Sequence, residues 1–193
     1  VALWTGTAGG TGKTTLALKF LVQAQAGDRQ VAYVDQALYF DPDYAHRCGL
    51  DLSRLVVGRP QDVQETLAVT EALARSGELS AMVLDVLGFV WTDPLAASYL
   101  AATLNRLPAF LARSGTILLV LHESAVKGSP AQSTLAHAAA VRLCVIREEW
   151  LREHNDIRGY RARVEVLKNK LGPAGRTASI AIKFNGTVRG NGL

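Results

Sequence analysis

The segment that decides the fold is Thr7-Ala8-Gly9-Gly10-Thr11-Gly12-Lys13-Thr14-Thr15, which lies between an apolar, strand-like segment at residues 1–4 and a helix predicted at residues 13–26. A glycine-rich turn between a strand and a helix, closed by Gly-Lys-Thr, is typical of a phosphate-binding P-loop. Glycines let successive backbone N–H groups turn inward around a phosphate. The strict consensus has glycine where Thr7 stands. We therefore predict a nucleotide site that comprises Gly9, Gly10, Thr11, Gly12, Lys13, Thr14 and Thr15.

Three side chains have expected roles in the chemistry of this site. Lys13 is expected to reach the β- and γ-phosphate oxygens, and the Thr14 hydroxyl is expected to ligate Mg²⁺. Asp85 follows the apolar segment at residues 81–84. A carboxylate at the end of such a strand is suited to holding the metal and its water shell, although a helix cap is the alternative interpretation. The expected ligands are therefore ATP and Mg²⁺.

Strand-like and helical segments alternate along the first 140 residues. Uniformly apolar segments predict parallel strands covered on both faces, at residues 31–34, 81–84 and 116–121. Capping residues predict helices that begin at Asp41, Asp62 and Asp93. Beyond residue 141 an apolar period of two predicts antiparallel strands, at residues 141–147, 160–167, 179–184 and 187–188. We predict an α/β fold in which a mostly parallel central sheet is flanked by helices and extended by C-terminal antiparallel strands, with residues 147–158 as a polar hairpin connection.

The size and composition fit a folded domain. The 193 residues predict one domain over residues 1–193. Hydrophobic residues make up 49% of the chain and charged residues 20%, which excludes an intrinsically disordered protein. The apolar runs are shorter than the roughly 18 residues of a membrane-spanning helix. Because Cys48 and Cys144 have no metal or disulfide-framework spacing, we expect a cytoplasmic protein. From the short apolar runs we also expect no membrane partner. Since the chain opens on Val1 in a strand-like segment, we expect its flanks to be missing.

Positive charge is concentrated in the C-terminal part of the chain. Residues 142–193 hold 11 Lys and Arg against 5 Asp and Glu, whereas residues 1–141 hold 10 against 12. A basic region of this kind is an electrostatic footprint for phosphates, either of DNA or of a nucleotide at a subunit interface. A solvated charged face is the alternative interpretation.

Several segments, taken in order over nearly the whole chain, resemble bacterial RecA, the recombinase ATPase. They are Gly12-Lys13-Thr14-Thr15, Val34-Asp35, Asp41-Pro42-Asp43-Tyr44-Ala45, Gly49-Leu50-Asp51-Leu52, Ala72-Leu73-Ala74-Arg75-Ser76-Gly77, the Asp85 strand and Val166-Leu167-Lys168-Asn169-Lys170. The resemblance implies a P-loop NTPase of the RecA type whose subunits stack head to tail with ATP between them. It also implies that Asp41 and Tyr44 contact adenine, and that Lys168 and Lys170 reach the γ-phosphate on a neighbouring subunit. From the residues alone, a surface tyrosine and a solvated lysine pair are the alternatives.

Two positions depart from the RecA pattern at the hydrolytic site. The glutamate that activates water in RecA lies two residues after the aspartate that ends the second strand, and Ala37 occupies that place here. The Asn-Gln pair that ends a later strand of RecA is His122-Glu123 here. We therefore expect weak hydrolysis, and we hypothesise that Glu123 partly replaces the missing base, because a carboxylate at that strand end could orient water. The alternative is that Glu123 only pairs with a basic residue.

The segments that correspond to the two DNA-binding loops of RecA are short, at residues 86–93 and 124–134. Lys127 is the only basic residue in the second segment. DNA is therefore expected to bind through Lys127 and the basic C-terminal region rather than through long loops. The resemblance also implies stacking with further copies or with other RecA-like subunits.

The resulting prediction is a RecA-like ATPase core, weak or DNA-stimulated in turnover, that acts in DNA recombination, repair or damage tolerance. One alternative is a non-hydrolysing accessory relative of the ImuA type, which uses bound ATP to fix its shape for a repair polymerase or another partner. Another is an ATPase of the ParA or MinD type, because residues 9–15 resemble the loop of that family. Ala8 stands where that family has its signature lysine, and Lys168-Asn169-Lys170 has no place in it.

Overall fold

The computed structural model describes residues 1–6, 10–86, 93–123 and 130–190. Its strands are β1 (Ala2–Gly6), β2 (Gln30–Asp35), β3 (Leu55–Gly58), β4 (Leu79–Asp85), β5 (Ile117–Glu123), β6 (Val141–Glu153), β7 (Asp156–Asn169), β8 (Thr177–Lys183) and β9 (Val188–Gly190). Its helices are α1 (Lys13–Ala24), α2 (Pro42–Arg47), α3 (Val63–Ser76), α4 (Pro94–Ser114) and α5 (Pro130–Ala138).

These nine strands form one sheet in the order β3-β2-β4-β5-β1-β6-β7-β8-β9. The six strands from β3 to β6 in this order pair in parallel, and the remaining pairs are antiparallel. The predicted fold class, a mostly parallel sheet extended by C-terminal antiparallel strands, is confirmed. Because the parallel strands share one direction, the loops after their carboxyl ends meet at one edge of the sheet.

Helices cover the two faces of the parallel strands. On one face, α4 buries leucines at helical spacing against Leu118 and Val120 of β5; they are Leu100, Leu104, Leu107 and Leu111. On the other face, Leu18 and Leu21 of α1 pack with Tyr33 of β2. Burial on both faces explains why β2, β4 and β5 have no polar alternation. A smaller cluster, Val145, Tyr160, Ala162 and Ile182, joins the antiparallel strands to α1.

The polar segment at residues 147–158 is a hairpin, as predicted, but its strands are longer than the sequence indicated. Strands β6 and β7 continue through this segment and turn only at His154 and Asn155, whose φ angles are 50° and 73°. Two left-handed residues of this kind match the twist of a two-residue hairpin. Most side chains of this ribbon are exposed, and ion pairs link its strands, with Arg161 Nε 2.6 Å from Glu149 Oε1. Since neither face is fully buried there, the sequence lacks the alternation that reveals a strand.

Two further elements lie outside the sequence-based prediction. The segment at residues 124–134 was expected to be a loop, but α5 begins within it and buries Leu135 against the α4 face. Strand β3 is a short edge strand of four residues with partly exposed side chains. Neither short element shows a clear period in sequence. Among the helices of the described residues, none combines the length and the apolar character needed to cross a bilayer.

Candidate nucleotide site

A cavity of about 440 Å³ lies at the carboxyl edge of the parallel strands. The segments after β1, β2 and β4 and the last residues of β5 contribute to its wall, as expected for ligand sites in sheets of this type. Its lining residues are Gly10, Thr11, Gly12, Lys13, Thr14, Thr15, Ala37, Tyr39, Asp85, Val86, Leu121, His122 and Tyr160. The structure therefore brings together six of the predicted phosphate-binding residues and Asp85. Gly9 lies outside the described residues.

The backbone of the P-loop requires its glycines. Gly12 is the N-cap of α1 with φ of 96°, a left-handed conformation that side chains rarely adopt. A Cβ on Gly12 would also collide with Ile182 Cδ1 and lie 2.9 Å from the Tyr160 hydroxyl. No side chain of the described residues caps α1 at Gly12. The first N–H groups of the helix are thus suited to a phosphate.

The donor set of the cavity fits Mg²⁺. Lys13 lines the cavity together with Thr14 and Asp85, whose side chains carry a hydroxyl and a carboxylate. Both are hard oxygen ligands, and Mg²⁺ bound to a nucleotide takes only one or two carboxylates together with phosphate oxygens and water. Within the described residues no cluster of three or more His, Cys, Asp and Glu is arranged around a metal position. The residues therefore suit a nucleotide-bound metal, which Thr14 and Asp85 would hold.

Asp85 is supported from beneath by a buried tyrosine. The Tyr33 hydroxyl donates a hydrogen bond to Asp85 Oδ2 at 2.6 Å, and Tyr33 has no exposed surface. Burial raises the pKa of Tyr33 well above its usual value, and the charge of Asp85 and their hydrogen bond add to the effect. The phenol therefore remains protonated and acts as a donor. The backbone oxygen of Asp85 accepts hydrogen bonds from the N–H groups of Gln36 and Ala37 at 3.1 and 3.3 Å.

The loop after β2 presents Ala37 to the cavity. It is fixed by Asp35, a fully buried carboxylate that accepts hydrogen bonds from the backbone N–H groups of Tyr39 and Phe40 at 2.9 and 3.2 Å. Arg59 Nε lies 3.3 Å from Asp35 Oδ2. Leu38 has φ of 57°, a strained conformation for a residue with a side chain. The loop thus places the methyl group of Ala37 at the cavity wall. A methyl group can neither accept a proton nor orient water.

His122 is a cavity residue to which the sequence analysis assigned no role. It is 1% exposed and lines the cavity with Lys13. Burial, followed by the charges of Lys13 and Arg142, lowers its pKa to about 4. The imidazole is therefore neutral near pH 7. Glu123 follows as the last residue of β5 and pairs with Gly6, but its side chain lies outside what the structure describes.

Tyr44 of α2 lies beside the P-loop, and Asp41 caps the same helix. The hydroxyls of Tyr44 and Thr15 are 2.8 Å apart, and Tyr44 is half-buried. Asp41 is the N-cap of α2, where its carboxylate accepts a hydrogen bond from the Tyr44 N–H at 3.1 Å. Asp41 therefore has a structural function in the helix, and it remains exposed to solvent. The geometry orders Tyr44 next to the loop, while the adenine contacts implied by the resemblance stay predictions.

The antiparallel strands complete the site with residues that the sequence analysis did not select. Tyr160 of β7 lines the cavity, and burial raises its pKa. Arg147 of β6 donates to the Gly10 carbonyl at 3.4 Å and stacks over the Trp150 ring at 4.2 Å. Trp150 in turn lies edge-on to Tyr160, with centroids 5.9 Å apart. In sequence, the only signal for Tyr160 is its position on the apolar side of an alternating strand.

Comparison with known proteins identifies the family. The model of the RecA N-terminal domain matches residues 5–189. The chain belongs to the RecA family. It is 32% identical to RecA of Frankia alni over 203 residues, which cover 94% of the chain and 59% of that protein. It is 30% identical to RecA of Rhizobium leguminosarum bv. viciae, with 94% and 58% of the two chains covered. The chain therefore spans about three fifths of the length of these relatives.

A solved structure confirms the fold of this RecA-family chain. The crystal structure of the RadB recombinase superposes with a TM-score of 0.73, covering 97% of this chain and 89% of the other at 18% identity. The predicted resemblance to RecA is thus confirmed at the level of family and fold. The ParA or MinD alternative receives no support from these matches.

The lysine pair of this RecA-family chain lies away from its own P-loop. Lys168 pairs with Arg142 in the sheet, and Arg142 pairs with Leu3, near the start of β1, whereas the P-loop follows Gly6 at its other end. The Lys168 ammonium donates to the carbonyls of Ala136 and His137 at the end of α5, at 2.8 and 3.0 Å. Burial, together with the charges of Lys170 and Arg142, lowers the pKa of Lys168. Lys127 lies outside the described residues.

Proposed function

We propose that this chain is the ATP-binding core of a RecA-like protein that hydrolyses MgATP slowly and acts in DNA recombination, repair or damage tolerance. The observation that supports the proposal is the convergence of Lys13, Thr14 and Asp85 on one cavity at the carboxyl edge of the sheet. The family match supports the same role. Because the match covers 59% of the length of RecA of Frankia alni, the activity of the whole relative is part of this proposal.

The chain's own residues would bind and orient the nucleotide. Backbone N–H groups at residues 10–15 would donate to the β-phosphate, and Lys13 would neutralise charge between the β- and γ-phosphates. Thr14 and Asp85 would hold Mg²⁺, which when bound would stabilise the charge on the phosphate oxygens. Tyr44 and Asp41 would contact the base, as the RecA resemblance implies.

Slow turnover is expected from the part of the cavity wall that Ala37 forms. Ala37 occupies the place of the water-activating glutamate and contributes only a methyl group to the cavity. We infer that Glu123, at the end of β5, provides a weaker substitute. Glu123→Gln would then lower kcat with little change in ATP affinity. An unchanged kcat would contradict this assignment.

The position of the lysine pair supports a nucleotide shared between subunits. Lys168 and Lys170 lie toward the edge of the sheet opposite the P-loop, so in a head-to-tail stack they would face the cavity of the next subunit. DNA would be held by the basic C-terminal region, residues 142–193, and by Lys127. These partners follow from the family and from charge.

A second candidate is a non-hydrolysing accessory module of the ImuA type, and the methyl group at Ala37 favours it. The deciding experiment measures ATP turnover and ATP binding with and without single-stranded DNA, at several salt concentrations, with Lys13→Ala as the blank. DNA-stimulated turnover above the blank supports the ATPase. ATP binding without turnover supports the accessory module, and no ATP binding overturns both.

A further inference from the structure

The hydroxyl of Tyr33 is a polar group inside the apolar layer beneath the cavity. Packing of the hydrophobic core does not by itself require this hydroxyl. Tyr33 lies in β2 among Leu18, Leu21 and Val83, and it is fully buried. A phenylalanine would fill the same ring volume without burying a hydroxyl, which is unfavourable when the hydroxyl has no partner. Here the hydroxyl has a partner, Asp85 Oδ2, at 2.6 Å.

The tyrosine ring is itself held in place. Tyr33 pairs with Val83 in the sheet, two residues before the pair formed by Asp35 and Asp85, so its hydroxyl reaches the carboxylate from below. The Phe40 ring packs against it with centroids 4.9 Å apart, and the Phe40 N–H is bound to Asp35. A donor fixed by this packing restricts the rotation of the Asp85 carboxylate.

We propose that Tyr33 is a positioning residue for Mg²⁺ binding, because its hydroxyl orients the Asp85 carboxylate toward a metal shared with Thr14. This inference rests on the proposed MgATP site. It predicts that the Tyr33 hydroxyl contributes to the Mg²⁺-dependent part of ATP affinity and leaves the metal-independent part unchanged. Groups that orient metal ligands from behind commonly change metal affinity about 10-fold or more.

The test is a binding titration with a fluorescent ATP analogue, in EDTA and at increasing Mg²⁺, on wild type and Tyr33→Phe. Tyr33→Phe should raise the Mg²⁺ concentration for half-maximal enhancement of ATP binding about 10-fold. Its affinity in EDTA should stay within about twofold of wild type, because the P-loop is intact. Tyr99→Phe, which removes a hydroxyl from α4, is the matched control and should behave as wild type.

The outcomes separate the two proposals. If wild type shows Mg²⁺-enhanced ATP binding and Tyr33→Phe shows the same Mg²⁺ requirement, the role of Tyr33 is wrong while the site stands. If wild-type ATP binding does not respond to Mg²⁺, the proposed function is overturned together with this inference. Should Tyr33→Phe fail to fold, 4-aminophenylalanine at position 33 keeps the volume and a weaker donor. About a threefold higher Mg²⁺ requirement is then expected, and an unchanged one overturns the inference.

Discussion

At the residue scale, the proposed nucleotide site depends on residues of the P-loop motif and on buried residues of the strands behind it. Lys13, Thr14 and Asp85 were predicted from the motif and the strand end, and the cavity contains all three. Tyr33, Tyr160 and His122 were not selected, because buried aromatic and polar residues inside apolar strands are indistinguishable in sequence from core positions.

Gly12 is the residue where a single methyl group should have the largest effect. Gly12→Ala would adopt an unfavourable φ of 96° and collide with Tyr160 and Ile182. We expect destabilisation by about 2–4 kcal/mol and loss of ATP binding. Gly77→Ala is the control, since Gly77 has φ of 75° with open space around its Cα. In urea unfolding, the free energy of unfolding of Gly77→Ala should be lower than that of wild type by only about 1 kcal/mol. Equal losses in the two variants would show that crowding at Gly12 has no effect.

His122 should make the folded protein sensitive to acid. Its pKa of about 4, below the usual 6.5, means that the folded state resists protonation. Its contribution to stability is therefore complete above pH 6.5 and is lost as the pH falls toward 4, by at most about 3 kcal/mol. His122→Asn should flatten the decline of the free energy of unfolding over this range. The exposed His46→Asn is the control, and a slope unchanged by His122→Asn would contradict the assignment.

At the scale of elements, the antiparallel strands have a function that their sequence did not reveal. β6 and β7 supply Arg147 and Tyr160 to the P-loop, and Lys168 to the end of α5. The buried parallel strands β2, β4 and β5 were predictable because they are apolar and continuous. The outer half of the β6–β7 hairpin and α5 were not, because their stability comes from cross-strand ion pairs and from contacts with α4 rather than from a local period.

Lys168 and Lys170 allow a test of the contact between β7 and the end of α5. Lys168 donates to the last carbonyls of α5, where a cation also complements the helix dipole. Lys168→Ala should therefore lower the free energy of unfolding by about 0.5–1 kcal/mol. The exposed Lys170→Ala should change it by less than about 0.5 kcal/mol. Thermal or urea unfolding checks both, and equal stability of the two variants would contradict a capping role for Lys168.

At the scale of the whole molecule, the two halves of the proposed catalytic site lie toward opposite edges of one sheet. The P-loop follows the carboxyl end of β1, and Lys168 and Lys170 lie near its amino end. A single subunit therefore presents the proposed ATP cavity at one edge and a pair of cations at the other, which is the arrangement a head-to-tail stack requires.

This arrangement predicts complementation between two inactive variants. Lys13→Ala lacks a working cavity but keeps its lysine pair, whereas the double variant Lys168→Ala, Lys170→Ala has the reverse defect. In an equimolar mixture, about one quarter of random interfaces would combine the intact halves and recover turnover. ATP hydrolysis measured against each variant alone checks this expectation. A mixture as inactive as its components, under conditions where wild type turns over, would contradict a shared site.

The sequence by itself determined the P-loop, the parallel core and the family, because these depend on contiguous residues whose backbone and burial set their pattern. Only the tertiary structure decided that Tyr33 supports Asp85, 52 residues away, and that Arg147 contacts Gly10, 137 residues away. Such contacts depend on the strand order, which places β2 beside β4 and β6 beside β1. The physical reason is that hydrogen bonds and packing act over a few ångströms in space, so their partners become defined only when the sheet is assembled.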